Sequence, residues 1–394
     1  MDIKITPRKL AGTISAIPSK SQAHRLLICA AFADVPTKLY CASVNQDIEA
    51  TAGCLRSLGA EILRTEYGYS VIPVKSIPDR AVLDCRESGS TLRFMLPVAG
   101  ALGVDCTFQM SGRLPKRPLS PLWEEMERMG CCLTRPTEAT IHLTGKLEPG
   151  TYTVDGGVSS QFITGLLFAI ALIDGNSTLK ITRKTESKPY IDMTMDALRL
   201  FGIDAFNYSI NSKAGFKSPG VCEVEGDWSN AAFFLAANTL GSNLKITGLS
   251  DASSQGDRAI CDILKKMSAY TEVDAADIPD LVPILAVVAG AMHGAKFHNI
   301  ARLRLKESDR VSTVAAMLIA LGASAKITDN TLEIIPGQFA GCEIHAAGDH
   351  RIAMAAAIAA TIANDPVTIS GAECVAKSYP TFWEEYRRLG GCYE

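Results

Sequence analysis

The chain has 394 residues, 47% of them hydrophobic and 21% charged, which is the balance of a packed globular protein and excludes a disordered one. Its formal net charge is −3, with 39 Lys and Arg against 42 Asp and Glu. That argues against a broad nucleic-acid or membrane-surface binder and leaves room for local cationic pockets. The length predicts two domains, or one unusually large one, and the composition disfavours coiled-coil, collagen-like and small disulfide-framework classes.

Met1-Asp2-Ile3-Lys4-Ile5 opens on a strand alternation, with no apolar signal-peptide core before it. The longest apolar runs, Phe162–Ile173 and Ile352–Ala363, fall well short of the ~20 residues of a membrane span, so they read as buried helices. Twelve cysteines are scattered without a C-x-x-C pair, and the six histidines show no metal-ligand spacing. The expectation is a reduced, cytoplasmic protein with structural thiols and no metal site.

In chain order, one kind of segment recurs: a short polar stretch, then an apolar run of helix length. Ser21 precedes Leu26–Ala33, Ser90 precedes Leu92–Leu102, and Ser159 precedes Phe162–Leu172. Ser229 precedes Ala231–Leu240, Asp280 precedes Leu281–Met292, and Asp349 precedes Ile352–Ala363. The steps Ser21–Ser90, Ser90–Ser159 and Asp280–Asp349 are each 69 residues, and Ser229–Asp280 is 51. Amphipathic helices alternate with these runs and end in hydrophobic-Gly pairs, the expected left-handed helix end. The pairs are Leu58-Gly59, Met129-Gly130, Phe201-Gly202, Leu321-Gly322 and Leu389-Gly390, with Met267-Ser268 a weaker case. Each unit therefore reads as strand, buried helix, strand, amphipathic helix, strands. A helix apolar all round cannot lie on a surface. Three of them packed together and covered by sheets give an α/β domain with helices inside. Six units divide into two similar domains, with the crossover near Glu225-Gly226-Asp227.

The polar residues that open the buried helices carry the chemistry, because a helix N-terminus offers unpaired N–H groups to an anion. Ser19-Lys20-Ser21-Gln22-Ala23-His24-Arg25 combines cations and hydroxyls but lacks the glycines of a P-loop, and by itself reads equally as a capped surface helix. Glu87-Ser88-Gly89-Ser90-Thr91-Leu92-Arg93 offers a close backbone approach at Gly89 and a forked cation at Arg93, or a plain Ser-capped helix. Gly156-Gly157-Val158-Ser159-Ser160-Gln161 resembles a cradle for a polyol or phosphate. Arg113-Leu114-Pro115-Lys116-Arg117-Pro118 is a stiff cationic loop, and the bland alternative is solvated surface. Lys306-Glu307-Ser308-Asp309-Arg310 sets a carboxylate between cations, suited to proton transfer beside an anionic substrate, or simply a charged helix start. Asp349-His350-Arg351 takes an Arg into an apolar helix, where it needs an anionic partner. Together, Lys20, Arg25, Arg93, Arg117, Lys306, Arg310, Arg351 and Lys377 stand at unit starts or adjoining loops of a net-acidic chain. That pattern predicts small ligands bearing phosphate and carboxylate groups, bound in a cleft between the domains.

These motifs identify a resemblance. Ser19–Arg25, Gly89–Arg93, Arg117-Pro118, Ser159–Phe162, Ser187-Lys188-Pro189-Tyr190, Pro279-Asp280, Lys306–Arg310, Asp349–Arg351 and Lys377 run in the order seen in the enolpyruvyl transferase family, in those members that act on shikimate 3-phosphate. The resemblance covers essentially the whole chain. It implies an inside-out α/β barrel of two domains, each of three βαβαββ units. Residues 14–225 would form the N-terminal domain on the shikimate 3-phosphate side. Residues 226–394, completed by 1–13, would form the C-terminal domain on the phosphoenolpyruvate and acid/base side.

The implied reaction moves the enolpyruvyl group of phosphoenolpyruvate to the 5-hydroxyl of shikimate 3-phosphate by addition and elimination, on the shikimate pathway to chorismate and the aromatic amino acids. It needs no metal and no cofactor. Carried over position by position, Lys20, Ser21, Arg25, Ser159, Ser160, Gln161, Ser187, Asp280 and Lys306 would hold shikimate 3-phosphate. Lys20, Gly89, Arg93, Arg117, Gln161, Arg310, Arg351 and Lys377 would hold phosphoenolpyruvate. Asp280 resembles the base for the 5-hydroxyl and Glu307 the acid/base for C3, with Lys20 between the substrates. Because Gly89 has no side chain, glyphosate is expected to enter the phosphoenolpyruvate pocket. Two positions depart from the pattern. Glu87 stands where a small amide or polar residue is expected, and Arg302 stands where some relatives carry Asn.

Two rivals stand beside this reading. One is the sister reaction on UDP-N-acetylglucosamine, whose enzymes use a Cys in a mobile loop; the comparable Arg113–Arg117 has none. The other is a non-catalytic polyanion binder on the same fold, which would be expected to lack Asp280 or Glu307. The expected partners are small molecules, with no nucleic acid and no membrane. The expected state is a monomer, since each domain buries its own helices.

Overall fold

The computed structural model describes residues 1–212 and 215–394. The chain forms two compact units, one of Pro18–Val224 and one of Met1–Ile17 with Glu225–Glu394. Each is built around its own hydrophobic core.

In Pro18–Val224 the predicted apolar runs form the helices Lys20–Ala31, Gly89–Leu102 and Ser160–Leu172. Gly89–Leu102 packs along Ser160–Leu172. Gly165 lets the two approach, because a side chain there would fall on the Arg93 carbonyl oxygen. Two of these helices cross between parallel strands. Gly89–Leu102 joins Arg80–Asp84 to Asp105–Gln109, and Ser160–Leu172 joins Thr151–Asp155 to Asn176–Thr182. Antiparallel strands extend each sheet.

The other unit repeats the plan. Trp228–Thr239, Val282–Ala291 and His350–Ala360 are its inner helices, and His350–Ala360 is buried at every position. Strands expose alternate residues, as in Asp2–Thr6, so sheets form the outer layer and helices the inner one. The predicted helix-ending glycines Gly59, Gly130, Gly202, Gly322 and Gly390 all have positive φ, whereas the helix Ile260–Lys266 before Met267-Ser268 closes without one.

The first repeat of each unit departs from the simple plan. By chain order, Ala11–Ser15 should lead into Lys20–Ala31 and pair with Thr37–Tyr40. Instead it pairs in parallel with Asn243–Thr247. Val221–Glu223, which leads into Trp228–Thr239, pairs in parallel with Thr37–Tyr40. The two leading strands are exchanged. Asp2–Thr6 then sits between Val367–Ser370 and Cys392–Tyr393, antiparallel to both. The boundary expected at 13/14 would cut the strand Ala11–Ser15. That strand is paired along its length, and Ala16 N donates to Thr247 O at 2.8 Å, so the unit extends to Ile17. Among the described residues, no helix is long and apolar enough to cross a membrane.

Candidate active site

In Pro18–Val224, Ser19 caps the first buried helix, accepting Gln22 N–H at 3.4 Å. Lys20 at the next position pairs with Asp47 Oδ2 at 2.9 Å, and both side chains are mostly buried. Arg25, one turn on, points inward. Its Nε donates to Thr194 Oγ1 (2.9 Å), Nη1 to Ser21 O (2.6 Å), and Nη2 to Tyr190 O (2.7 Å) and Thr164 Oγ1 (3.3 Å). Its guanidinium also lies over the Phe94 ring, 5.3 Å from the centroid. Burial pulls its pKa down to about 10, still fully charged at neutral pH. Arg25 thus braces three helices.

A second group forms around the next two buried helices. Ser88 caps Gly89–Leu102, accepting Thr91 N–H at 3.2 Å. Gly89 is the first helical residue, and a Cβ there would lie 2.5 Å from Arg117 Nη1 and 2.7 Å from Arg93 Nη1. Both guanidinium groups therefore rest on its bare α-carbon. Arg93 Nη1 donates to Gln161 Oε1 at 2.9 Å, Arg93 Nη2 to Pro118 O at 3.0 Å, and Gln161 Nε2 to Ser90 Oγ at 2.9 Å. Ser159 caps Ser160–Leu172, which fixes Gln161 at the helix start. Ser187 opens Lys188–Leu200 at φ +55°, a left-handed conformation that costs a non-glycine residue about 1–3 kcal/mol and tends to mark functional sites.

The other unit holds an ion-pair network. Asp280 Oδ1 accepts from Arg310 Nη1 (2.7 Å) and Lys306 Nζ (3.4 Å), and Oδ2 from Arg351 Nη2 (3.1 Å). Arg310 Nη2 reaches Glu307 Oε2 at 2.8 Å, and its Nε reaches Asp349 Oδ2 at 2.8 Å. Arg310 is 1% exposed, so its fork is spent on three carboxylates. Asp280 does not cap the helix behind it; that position falls to Leu281. Its carboxylate is turned to the cations instead. Lys377 is buried at the end of the 3₁₀ turn Ala372–Lys377.

The electrostatics divide the network into roles. Burial pushes the Asp280 carboxyl up, but Arg351, Lys306 and Arg310 outweigh it and hold it well below the usual range. Burial lowers the Lys306 ammonium to about 8, against the opposing pull of Asp280. The Arg310 guanidinium is raised well above its ordinary value: burial opposes its charge, and the carboxylates Asp349, Glu307 and Asp280 overcome that. The surrounding cations thus keep the Asp280 carboxylate ionised.

Three features were not legible as site parts. Asp47, an ordinary helix carboxylate by sequence, anchors Lys20. His24 joins a buried chain, its Nδ1 2.7 Å from Thr51 Oγ1, which lies 2.7 Å from Thr91 Oγ1, which donates to Ser88 Oγ at 2.8 Å. Burial holds that imidazole neutral, with a pKa of about 3. Asp257 is 3% exposed and accepts from the Ser229 hydroxyl. Burial, then the Asp280 charge, lift its pKa to about 7. The one local signal for it was a polar Ser253-Ser254-Gln255-Gly256-Asp257 run.

A six-repeat chain with helices inside and paired acid and cation clusters defines the enolpyruvyl transferase fold. Among solved structures it is similar to an enolpyruvyl transferase, NikO of Streptomyces tendae (18% identity, TM-score 0.77, covering 100% of this chain and 98% of that one). It is also similar to the EPSP synthase of Acinetobacter baumannii (24% identity, TM-score 0.78, covering 100% and 99%). The sequence profile of EPSP synthase (3-phosphoshikimate 1-carboxyvinyltransferase) matches residues 5–276 and 269–386. Relatives named 3-phosphoshikimate 1-carboxyvinyltransferase include those of Clostridium kluyveri (39% identical, covering 99% of this chain and 97% of that one) and Clostridium novyi (40%, covering 99% and 98%). The chain belongs to the EPSP synthase family.

Proposed function

We propose that the chain is a transferase that carries the enolpyruvyl group of phosphoenolpyruvate to the 5-hydroxyl of shikimate 3-phosphate, releasing phosphate and 5-enolpyruvylshikimate 3-phosphate. The family supports this over the UDP-N-acetylglucosamine reaction. The observation that carries the catalytic reading is the Asp280–Lys306–Glu307–Arg310–Arg351 network, two carboxylates poised among three cations. In Pro18–Val224, Lys20, Ser21, Arg25, Ser159, Ser160, Gln161 and Ser187 hold shikimate 3-phosphate, and Gly89, Arg93, Arg117, Gln161 and Lys20 hold phosphoenolpyruvate. In the other unit, Arg310, Arg351 and Lys377 supply cations to phosphoenolpyruvate, and Asp280 and Lys306 contact shikimate 3-phosphate.

Asp280 is then the base for the 5-hydroxyl. In the ion-paired state it is a weak base. Substrate anions that draw Arg351 and Lys306 away raise its proton affinity at the moment the hydroxyl must lose its proton. Glu307 delivers the proton to C3 and later removes one, and the phosphate leaves with its charge met by the cations. On this reading the protein is cytoplasmic and monomeric, each unit burying its helices in its own core.

The test is phosphate release from phosphoenolpyruvate with shikimate 3-phosphate, and separately with UDP-N-acetylglucosamine, in the presence of a chelator. Release with shikimate 3-phosphate alone establishes the reaction and its independence of a free metal. Release with neither, in folded protein, moves the chain to the binding-protein reading.

Two further outcomes follow from the geometry. Gly89→Ala should cost some stability, because its methyl falls on the guanidinium ends of Arg117 and Arg93, and Arg93 is buried and bonded to Gln161 and Pro118. Pushing those guanidinium groups aside should raise the KM for phosphoenolpyruvate about tenfold, the worth of one charge-assisted contact, and weaken inhibition by glyphosate with it. An unchanged KM would remove Gly89 from the pocket. The second outcome concerns pH. Since kcat/KM reports the free enzyme, its value for shikimate 3-phosphate should fall as the pH rises through about 8 and the Lys306 ammonium loses its proton. Lys306→Arg should move that alkaline limb up, and a limb that stays in place would assign it to another group.

A further inference from the structure

We propose that Glu87 is a positioning residue for Arg117, a latch between the turn that leads to Gly89 and the loop that carries Arg117. The proposal rests on the reading that Arg117 holds phosphoenolpyruvate. Glu87 Oε1 accepts the Arg113 backbone N–H at 3.0 Å. The same carboxylate lies against the α-carbon of Gly112, where φ is +55° and any side chain would fall on Oε1. Beside this contact, Ser111 N donates to Arg86 O at 2.8 Å. Arg86 is itself held at φ +49°, with its N–H on Asp84 Oδ1 at 2.9 Å. The two segments are therefore stitched side by side, at 86 with 111 and at 87 with 113.

The stitch lies next to the ligand-holding atoms. Glu87 is two residues before Gly89, and Arg113 is four before Arg117, whose guanidinium returns over Gly89. Between Arg113 and Arg117 runs a single 3₁₀ turn, Leu114–Lys116, stiffened by Pro115. Its far end is held by Arg93 Nη2 on Pro118 O and its middle by Arg135 Nη1 on Pro115 O at 2.8 Å. Glu87 holds the near end. A backbone N–H bound to a carboxylate is stronger than one bound to a neutral acceptor. A shorter side chain at residue 87 would not reach Arg113 N from the same backbone. Fixing both ends of a stiff loop sets the Arg117 α-carbon before the ligand arrives, which lowers the ordering cost of binding.

The test compares Glu87→Ala, Glu87→Gln, Gly112→Ala and the Glu87→Ala/Gly112→Ala double variant in the full chain, varying each substrate at saturating levels of the other. Glu87→Ala should raise the KM for phosphoenolpyruvate about tenfold and leave kcat and the KM for shikimate 3-phosphate within about twofold. Glu87→Gln keeps the acceptor oxygen and should stay near the wild type. Gly112→Ala should copy Glu87→Ala in the KM for phosphoenolpyruvate, because its methyl displaces the carboxylate, and should in addition lose some stability to the left-handed backbone at φ +55°. The double variant should be no worse than either single one. An unchanged KM for phosphoenolpyruvate, a parallel rise in both KM values, or additive singles would each overturn the latch. Amide hydrogen exchange supplies an arm that does not depend on turnover: Glu87→Ala should speed exchange at 111–117 and not elsewhere. If that acceleration appears while the wild type releases no phosphate, the reaction assignment fails and the loop latch stands. If exchange at 111–117 is unaltered, the latch fails whatever the reaction.

Discussion

Glu307→Gln should lower kcat by roughly three orders of magnitude, within the range expected when a positioned acid/base is removed. Gln keeps the shape of the side chain and can still accept from Arg310 Nη2, now 2.8 Å from Glu307 Oε2. What it cannot do is give or take a proton. Nothing else in the network has to move, because Arg310 remains paired with Asp280 and Asp349. Binding of shikimate 3-phosphate, measured by titration calorimetry, should therefore stay within a few-fold of the wild type while phosphate release nearly stops. Turnover within tenfold of the wild type would take proton transfer away from Glu307.

Arg310→Met should be the most destabilising single change in the network, by about 3–5 kcal/mol, as when one partner of a buried ion pair is removed. Asp349 is 0% exposed and would lose its guanidinium partner, keeping Ser308 Oγ at 3.0 Å and the Arg351 backbone N–H at 3.0 Å. Asp280 would keep Lys306 and Arg351 but lose its shortest contact. The effect depends on pH in a definite direction. A carboxylate held below its unfolded pKa adds stability that is present at neutral pH and lost as the pH falls through the folded-state value. Asp280 is such a group. The gap in urea midpoint between variant and wild type should be widest near neutral pH and narrow on acidification below about 4, the unfolded carboxylate range. A gap that grows towards acid would contradict this account of the pairing.

The repeat was legible because it is written in local chemistry. A run such as Ile352–Ala363 has no polar face, so it can only be interior, and Ser19, Ser88, Ser159 and Asp349 cap their helices as such residues do. The strand exchange was not legible from the pattern. Ala11–Ser15 and Val221–Glu223 carry no local mark of their partners, and strand pairing over more than 180 residues is a matter of tertiary packing. The same division runs through the site. The motif Lys306–Arg310 announced acid beside base, and the structure has both. The sequence could not say that Arg310 faces inward across three carboxylates, or that Asp309 is a helix cap bonded to the Val311 and Ser312 amides. Arg25 read as a ligand for an anion, yet most of its donors serve neighbouring helices. A buried Arg and a binding Arg look alike in a sequence because both need acceptors, and only distance decides which acceptors they find.

The exchanged strands impose an order on biosynthesis. A ribosome releases Asp2–Thr6 and Ala11–Ser15 before their partners: Asn243–Thr247 comes soon after Val221–Glu223, and Val367–Ser370 and Cys392–Tyr393 much later. The stretch Pro18–Val224, by contrast, contains every strand its sheets require as soon as Glu223 has left the tunnel. It can close co-translationally while the leading segment is still without a mate. Ala11–Ser15 waits only about two dozen further residues for Asn243–Thr247, but Asp2–Thr6 waits some 150 for Val367–Ser370; over that time one strand with unpaired edges hangs from a finished unit, the kind of exposed template that chaperones bind and that off-pathway association exploits.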